Sequence, residues 1–280
     1  MLAEDFERNR KKIAVRPTLT ALARIKILKF SFGIIHAALW KNLISVTDKI
    51  APDGHITLAG AIRRGVLRAL LVAAACFAAL ADPRLDRVEE TARQRYDSAV
   101  VARVQSWRAA LSHMQGKSDT EQLREANDFF NRQVQFLDDT VVWQQKDYWA
   151  TPLETLAKRA GDCEDFVIAK YLSLRQLGMA DEKLRLIYVR AKIGGERSSL
   201  TQAHMVLGYF ETPTSEPLVL DNLVGDIQPA SRRTDLFPVF SFNSSGLWVA
   251  GASTAAARPS ERLSRWRDLI ARLHDEGFEQ

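Results

Sequence analysis

From residue 84 to residue 114 apolar side chains recur every three to four positions. Val88, Ala92, Tyr96, Val100, Val104, Trp107 and Leu111 fall near one face, and the spacing predicts one long amphipathic helix. Gly116 to Asp119 breaks the pattern, and Asp119 or Thr120 can cap a second helix carrying Leu123, Ala126, Phe130 and Val134. Phe136 to Pro152 has no sustained period and reads as an ordered loop bearing Trp143, Tyr148 and Trp149. From Leu153 a short helix leads to Gly161. A helix opened by Cys163 then runs through Phe166, Val167, Tyr171 and Leu174 to a stop at Gly178. After that the period becomes two: 184–191, 204–210 and 217–220 are rich in branched and aromatic residues, bounded by turn residues, and read as strands of an antiparallel sheet. A last helix covers Arg262 to Leu273. The sum is an α+β arrangement, a central helix presenting a cysteine, packed on a sheet and flanked by N- and C-terminal helices.

The first 81 residues follow a different pattern. Arg63, Arg64 and Arg68 lead into the apolar run Val66 to Ala81, which ends in Ala79-Leu80-Ala81 before Asp82 and Pro83. A basic region, a short apolar core and a small-x-small site make residues 63–81 a secretory signal peptide, with cleavage expected after Ala81. The run is shorter than the roughly 20 residues a spanning helix needs. Residues 1–62 hold a second apolar stretch, Ile25 to Trp40, interrupted by Lys26 and Lys29. Two readings of that leader stand: an upstream start-site extension, or a membrane-associated segment. On either, the working domain is 82–280, exported.

Charge changes the picture only when it is split along the chain. The net charge is +5, but residues 1–81 carry 13 Lys and Arg against 5 Asp and Glu, leaving 26 against 29 for the rest. The exported part is slightly acidic, so nucleic-acid binding loses its support. Of the two cysteines, Cys76 lies in the signal run, which leaves Cys163 as a lone thiol unable to form an internal disulfide.

The candidate chemistry converges on Cys163. A thiol at a helix start has its anion favoured by unpaired backbone N–H groups and the dipole. Of the histidines after residue 82, His113 and His274 lie on amphipathic helices, whereas His204 starts a strand. If strands 204–210 and 217–220 form a hairpin through the turn-rich link 211–217, His204 and Asp221 sit opposite one another at one sheet edge. A nucleophile, a base and an orienting carboxylate are the requirements of thiol acyl transfer, with the Cys163 N–H and one donor from the aromatic loop holding the oxyanion. Asp162, Glu164 and Asp165 complicate this, because negative charge beside the thiol opposes its ionisation. They are hard oxygen ligands that a Ca²⁺ ion would neutralise; the plainer alternative is that they cap a helix N-terminus. The loop aromatics likewise have two readings, lining a substrate groove or covering the core.

Gly161-Asp162-Cys163-Glu164-Asp165, Ala169-Lys170-Tyr171, Ala203-His204-Met205-Val206-Leu207 and Leu218-Val219-Leu220-Asp221-Asn222-Leu223 resemble the bacterial transglutaminase-like cysteine proteinases, the LapG family of periplasmic proteases. The resemblance spans most of residues 82–280. It implies a papain-like, transglutaminase-like fold and a calcium-dependent thiol protease with Cys163, His204 and Asp221 as nucleophile, base and orienter. It also implies a substrate, the N-terminal region of a very large surface adhesin cut next to paired alanines to release a biofilm. An inner-membrane receptor for cyclic di-GMP is implied as the partner that sequesters the protease. Two competitors remain at the sequence level: a transglutaminase or amidase using the same three residues, and a non-catalytic exported binding module. An insert, 194–199, departs from the family's pattern before His204.

Overall fold

The computed structural model describes residues 83–194, 199–252 and 254–278. The expected leader at 1–62, the expected signal peptide at 63–81 with its cleavage point, and most of the 194–199 insert lie outside them. Among the described residues no helix is long and apolar enough to cross a membrane.

The long first helix is two helices, α1 (Pro83–Arg95) and α2 (Ser98–Met114). Asp97 divides them: its carboxylate accepts from the backbone N–H groups of Ala99 and Val100, so it starts a new helix instead of continuing the old one. α3 (Asp119–Gln133) is capped one residue earlier than the sequence suggests, by a reciprocal Ser118–Glu121 capping box. The aromatic segment is less irregular than its sequence. It contains β1 (Gln135–Phe136) and α4 (Asp139–Val142), and α5 (Pro152–Lys158) follows behind a Thr151–Glu154 capping box. β1 pairs in parallel with β2 (Ala160–Gly161).

α6 (Cys163–Gln176) is the central element, buried on nearly every side. α3 and α5 pack on it, and Trp107 of α2 donates from Nε1 to Ser173 Oγ at 2.9 Å. Its Phe166, Val167, Ile168, Tyr171, Leu172 and Leu174 belong to the main core, each contributing about 1.5–3 kcal/mol of burial. The far side is covered by a six-stranded sheet ordered β6-β5-β4-β3-β7-β8: β3 (Leu184–Lys192), β4 (Thr201–Tyr209), β5 (Leu218–Leu220), β6 (Gln228–Pro229), β7 (Leu236–Phe242) and β8 (Leu247–Val249). All its pairings are antiparallel. The α+β class expected from the sequence is the one observed. The C-terminal helix is divided at Leu263 into α7 (Pro259–Arg262) and α8 (Ser264–Glu276).

α8 reaches back to the aromatic segment. Arg272 bonds Glu154, the Tyr148 hydroxyl at 2.8 Å and the Trp149 carbonyl at 2.6 Å. Trp149 is buried and stacks on Phe242 with ring centroids 5.6 Å apart, so this aromatic covers the core. Trp143 and Tyr148 pair with each other, half-buried at the protein's surface.

Candidate active site

Cys163 occupies the first turn of α6, half-buried, with its Sγ facing the backbone N–H of Met205 on β4. α6 and β4 are in direct contact, which brings the thiol to the strand that carries His204. The thiol donates to Glu164 Oε2 at 3.1 Å. Burial pushes its pKa strongly upward, and the Glu164 and Asp162 charges push the same way, against the opposing pull of the Met205 N–H.

His204 and Asp221 are brought together, both buried, with His204 Nε2 2.8 Å from Asp221 Oδ1. The hairpin register differs from the simple expectation. Leu207 lies opposite Leu220 and Gly208 opposite Val219, so continuing the ladder sets Val206, not His204, across from Asp221. The offset is two residues, and because side chains alternate faces with a period of two, the pair stays on one face and meets diagonally. Asp221 Oδ1 also accepts from the Leu223 N–H at 3.0 Å, and Asp221 Oδ2 accepts from Arg233 Nη2 at 2.8 Å. Burial alone would raise the Asp221 pKa, but the His204 contact, the Leu223 N–H and Arg233 outweigh it and hold the carboxyl at about 2. On α3, Asn131 donates to the Asp221 backbone carbonyl at 2.9 Å. Lys170, one turn further along α6 than Phe166, is fully buried, and its Nζ has no hydrogen-bond partner among the described residues. Burial lowers its pKa to about 7, partly offset by Asp221 and Asp128.

On the other side of Cys163 stands an acidic cluster. Asp162 precedes α6 but makes no side-chain cap, which removes capping as its explanation. Asp162, Asp165 and Asp139 offer carboxylate oxygens within 4.8 Å of one another, as do Asp139, Asp147 and Glu164; the Asp162 and Glu164 carboxylates also come within that distance of each other and of Cys163 Sγ. Asp165 Oδ1 accepts from the Ala150 N–H at 2.7 Å, and Asp139 accepts from the Tyr148 N–H. Their remaining oxygens, Asp165 Oδ2 and Asp139 Oδ1, together with Asp162 Oδ1, are buried with no partner. Burial raises all four carboxyls: Asp162 to about 9, helped by Glu164, Glu164 itself to about 7, Asp139 above its ordinary value and Asp165 well above it. Gly161 makes the crowding feasible, since a Cβ there would run into the Asp165 carboxylate. Orphaned, buried, converging carboxylate oxygens are the donor set of a hard cation, so the residues present fit a calcium ion.

The three acidic residues singled out from the sequence lie close together, and the fold adds Asp139 and the peripheral Asp147, which the sequence does not single out. Asp139 comes from the segment between β1 and the aromatic residues, where nothing periodic marks it; the parallel pairing of Phe136 with Gly161 is what carries it to the start of α6. The sequence does not single out Arg233 either.

Residues 94–250 match the model of the family described as bacterial transglutaminase-like cysteine proteinase, BTLCP. The chain is similar to the solved structure of LapG from Legionella pneumophila at 36% identity, covering 68% of this chain and 97% of that one, with a TM-score of 0.58. The EGTA-treated form of that protein aligns at 36% identity over the same shares with a TM-score of 0.60. Its calcium-bound form aligns at 38% identity over 66% of this chain and 98% of that one, with a TM-score of 0.56. No curated protein matches the chain.

Proposed function

The chain belongs to the bacterial transglutaminase-like cysteine proteinases and is a LapG-like cysteine peptidase; from that premise we propose that Cys163, His204 and Asp221 are its nucleophile, base and orienter, and that calcium supports them. The observation that carries the triad is the buried His204 Nε2–Asp221 Oδ1 contact beside the strand backbone that faces Cys163 Sγ. With Nε2 held by Asp221, Nδ1 is the ring nitrogen left to take the thiol proton.

The reaction is acyl transfer to water. His204 accepts the Cys163 proton, the thiolate adds to a backbone carbonyl, and the oxyanion is held by the Cys163 N–H at the start of α6. Collapse breaks the C–N bond as His204 returns its proton to the leaving amine. Water, deprotonated by His204, then hydrolyses the thioester and restores the thiol.

Asp139, Asp162, Glu164 and Asp165 are the residues that would hold calcium; bound there, the ion supplies the positive charge that offsets the carboxylates beside the thiol. That the similar Legionella protein is known in calcium-bound and EGTA-treated forms supports this. The substrate is the N-terminal region of a large surface adhesin, cut next to paired alanines so that a biofilm disperses. The enzyme is exported to the periplasm by residues 63–81 and restrained there by an inner-membrane receptor for cyclic di-GMP. These assignments rest on the family resemblance and the export pattern.

The test is mass spectrometry of the N-terminal region of a co-encoded giant adhesin after incubation with the full chain. Two pieces are expected in calcium, and a loss of at least about 1,000-fold with Cys163→Ala or with chelator. An isopeptide-crosslinked product would instead mark a transamidase, and cleavage by Cys163→Ala at the wild-type rate would sink the triad.

A further inference from the structure

Asp221 has a second partner besides His204. Arg233 follows a 3-10 turn at Ala230–Arg232 and is itself nearly buried, 5% exposed. Its Nη2 donates to Asp221 Oδ2 at 2.8 Å, while Nε and Nη2 hold the two oxygens of Asp235 at 2.9 and 2.8 Å. The guanidinium thus grips one carboxylate with its planar edge and reaches the other with the shared nitrogen. The Asp221 side chain is fully buried, so its two oxygens must be satisfied by protein. Oδ1 is occupied by His204 and the Leu223 N–H. Oδ2 has Arg233.

A carboxylate held at one oxygen can swing about its Cβ–Cγ bond. One held at both oxygens cannot. We infer that Arg233, anchored by Asp235, is a positioning residue of this peptidase that locks the Asp221 carboxylate with Oδ1 toward His204. The inference rests on the assignment of Asp221 as orienter and adds a fourth and fifth residue to that chain of contacts. The device is specific to a guanidinium. A lysine at 233 would bring a point charge to Asp221 without the planar edge that fixes its direction through Asp235.

The experiment compares Arg233→Met, Arg233→Lys, Arg233→Ala and Asp221→Ala with wild type in the full chain, using the adhesin N-terminal region in calcium as probe. Arg233 is nearly buried and bonds the Asp221 oxygen opposite the one that His204 holds. Arg233→Met should therefore lower kcat by about 100-fold with KM changed less than about twofold, the size expected of a misdirected catalytic group. Arg233→Lys should fall between, at about 10-fold. Methylguanidinium should restore a measurable part of the Arg233→Ala rate, which a purely structural role would not allow. The same order is expected in the rate at which iodoacetamide alkylates Cys163, followed at its own peptide, a readout that needs no protein substrate. If Asp221→Ala is inactive while Arg233→Met keeps the wild-type kcat, or if Arg233→Ala is lost in kcat and KM alike and methylguanidinium restores nothing, the inference is overturned. Full activity of Asp221→Ala would overturn the triad assignment beneath it.

Discussion

Two buried charged clusters flank Cys163, and they are built on opposite principles. At the sheet edge, Asp221 and Asp235 meet the Arg233 guanidinium and the His204 ring, and every Asp221 oxygen has a partner. At the start of α6, Asp139, Asp162, Glu164 and Asp165 meet one another and a few backbone N–H groups, and no lysine or arginine bonds any of them among the described residues. The first cluster holds its central carboxyl at about 2, whereas the second pushes Asp162 to about 9 and Glu164 to about 7. The difference teaches which half of the site is complete in the polypeptide. The proposed orienting half carries its own counter-charge; the half around the proposed nucleophile lacks it, and the deficit falls on the thiol. A buried ion pair is costly to break, and an unpaired buried carboxylate is costly to keep.

Removing one carboxylate from each cluster should therefore have effects of opposite sign. Asp221→Ala strips Arg233 and His204 of their shared partner in a dry site and should destabilise the protein by about 3–5 kcal/mol, read by denaturant unfolding. A loss no larger than that of a surface substitution would break the comparison. Asp165→Asn should do the reverse in chelator. The amide oxygen can still accept from the Ala150 N–H, while the uncompensated charge is gone, so stability should rise by about 1–2 kcal/mol. The same variant should lose the stabilisation that calcium gives the wild type, and a variant that retained it would show that the ion binds elsewhere.

Much of the site could be read from sequence because it is local. Cys163 and its acidic neighbours share one helix start, and His204 and Asp221 flank one hairpin. The hairpin register was missed by two residues, since a turn-rich link does not fix where the ladder begins, yet parity kept the pair on one face. The long first helix was split because Asp97 competes for backbone N–H groups, a signal present in the sequence but weaker than the apolar period around it. Asp139 and Arg233 had no such signal. One is placed by β1 and β2, strands of two residues each, too short to show alternation. The other sits in a connection whose only order is a turn, twelve positions beyond its partner. Short β6 and β8 escaped for the same reason, whereas the helix through 163–176 is long enough for its apolar positions, Phe166, Val167, Tyr171 and Leu174, to show their period.

The unbalanced cluster is tested most directly by the rise in Tm that calcium produces, measured on the full chain across pH. Carboxyls whose folded pKa lies above the unfolded value stabilise the fold most below about pH 4, where they are neutral in both states, and that benefit is lost as pH rises through the folded values. For Glu164 and Asp162 those values are about 7 and about 9. In chelator this contribution to stability should fall from about pH 5 to about pH 9, while calcium, no longer competing with protons for the same oxygens, should restore progressively more of it. The predicted result is a calcium-induced rise in Tm that is small at about pH 5 and grows steadily towards about pH 9. An increment that is absent, or the same at both ends of that range, would contradict the claim that these carboxylates await a cation.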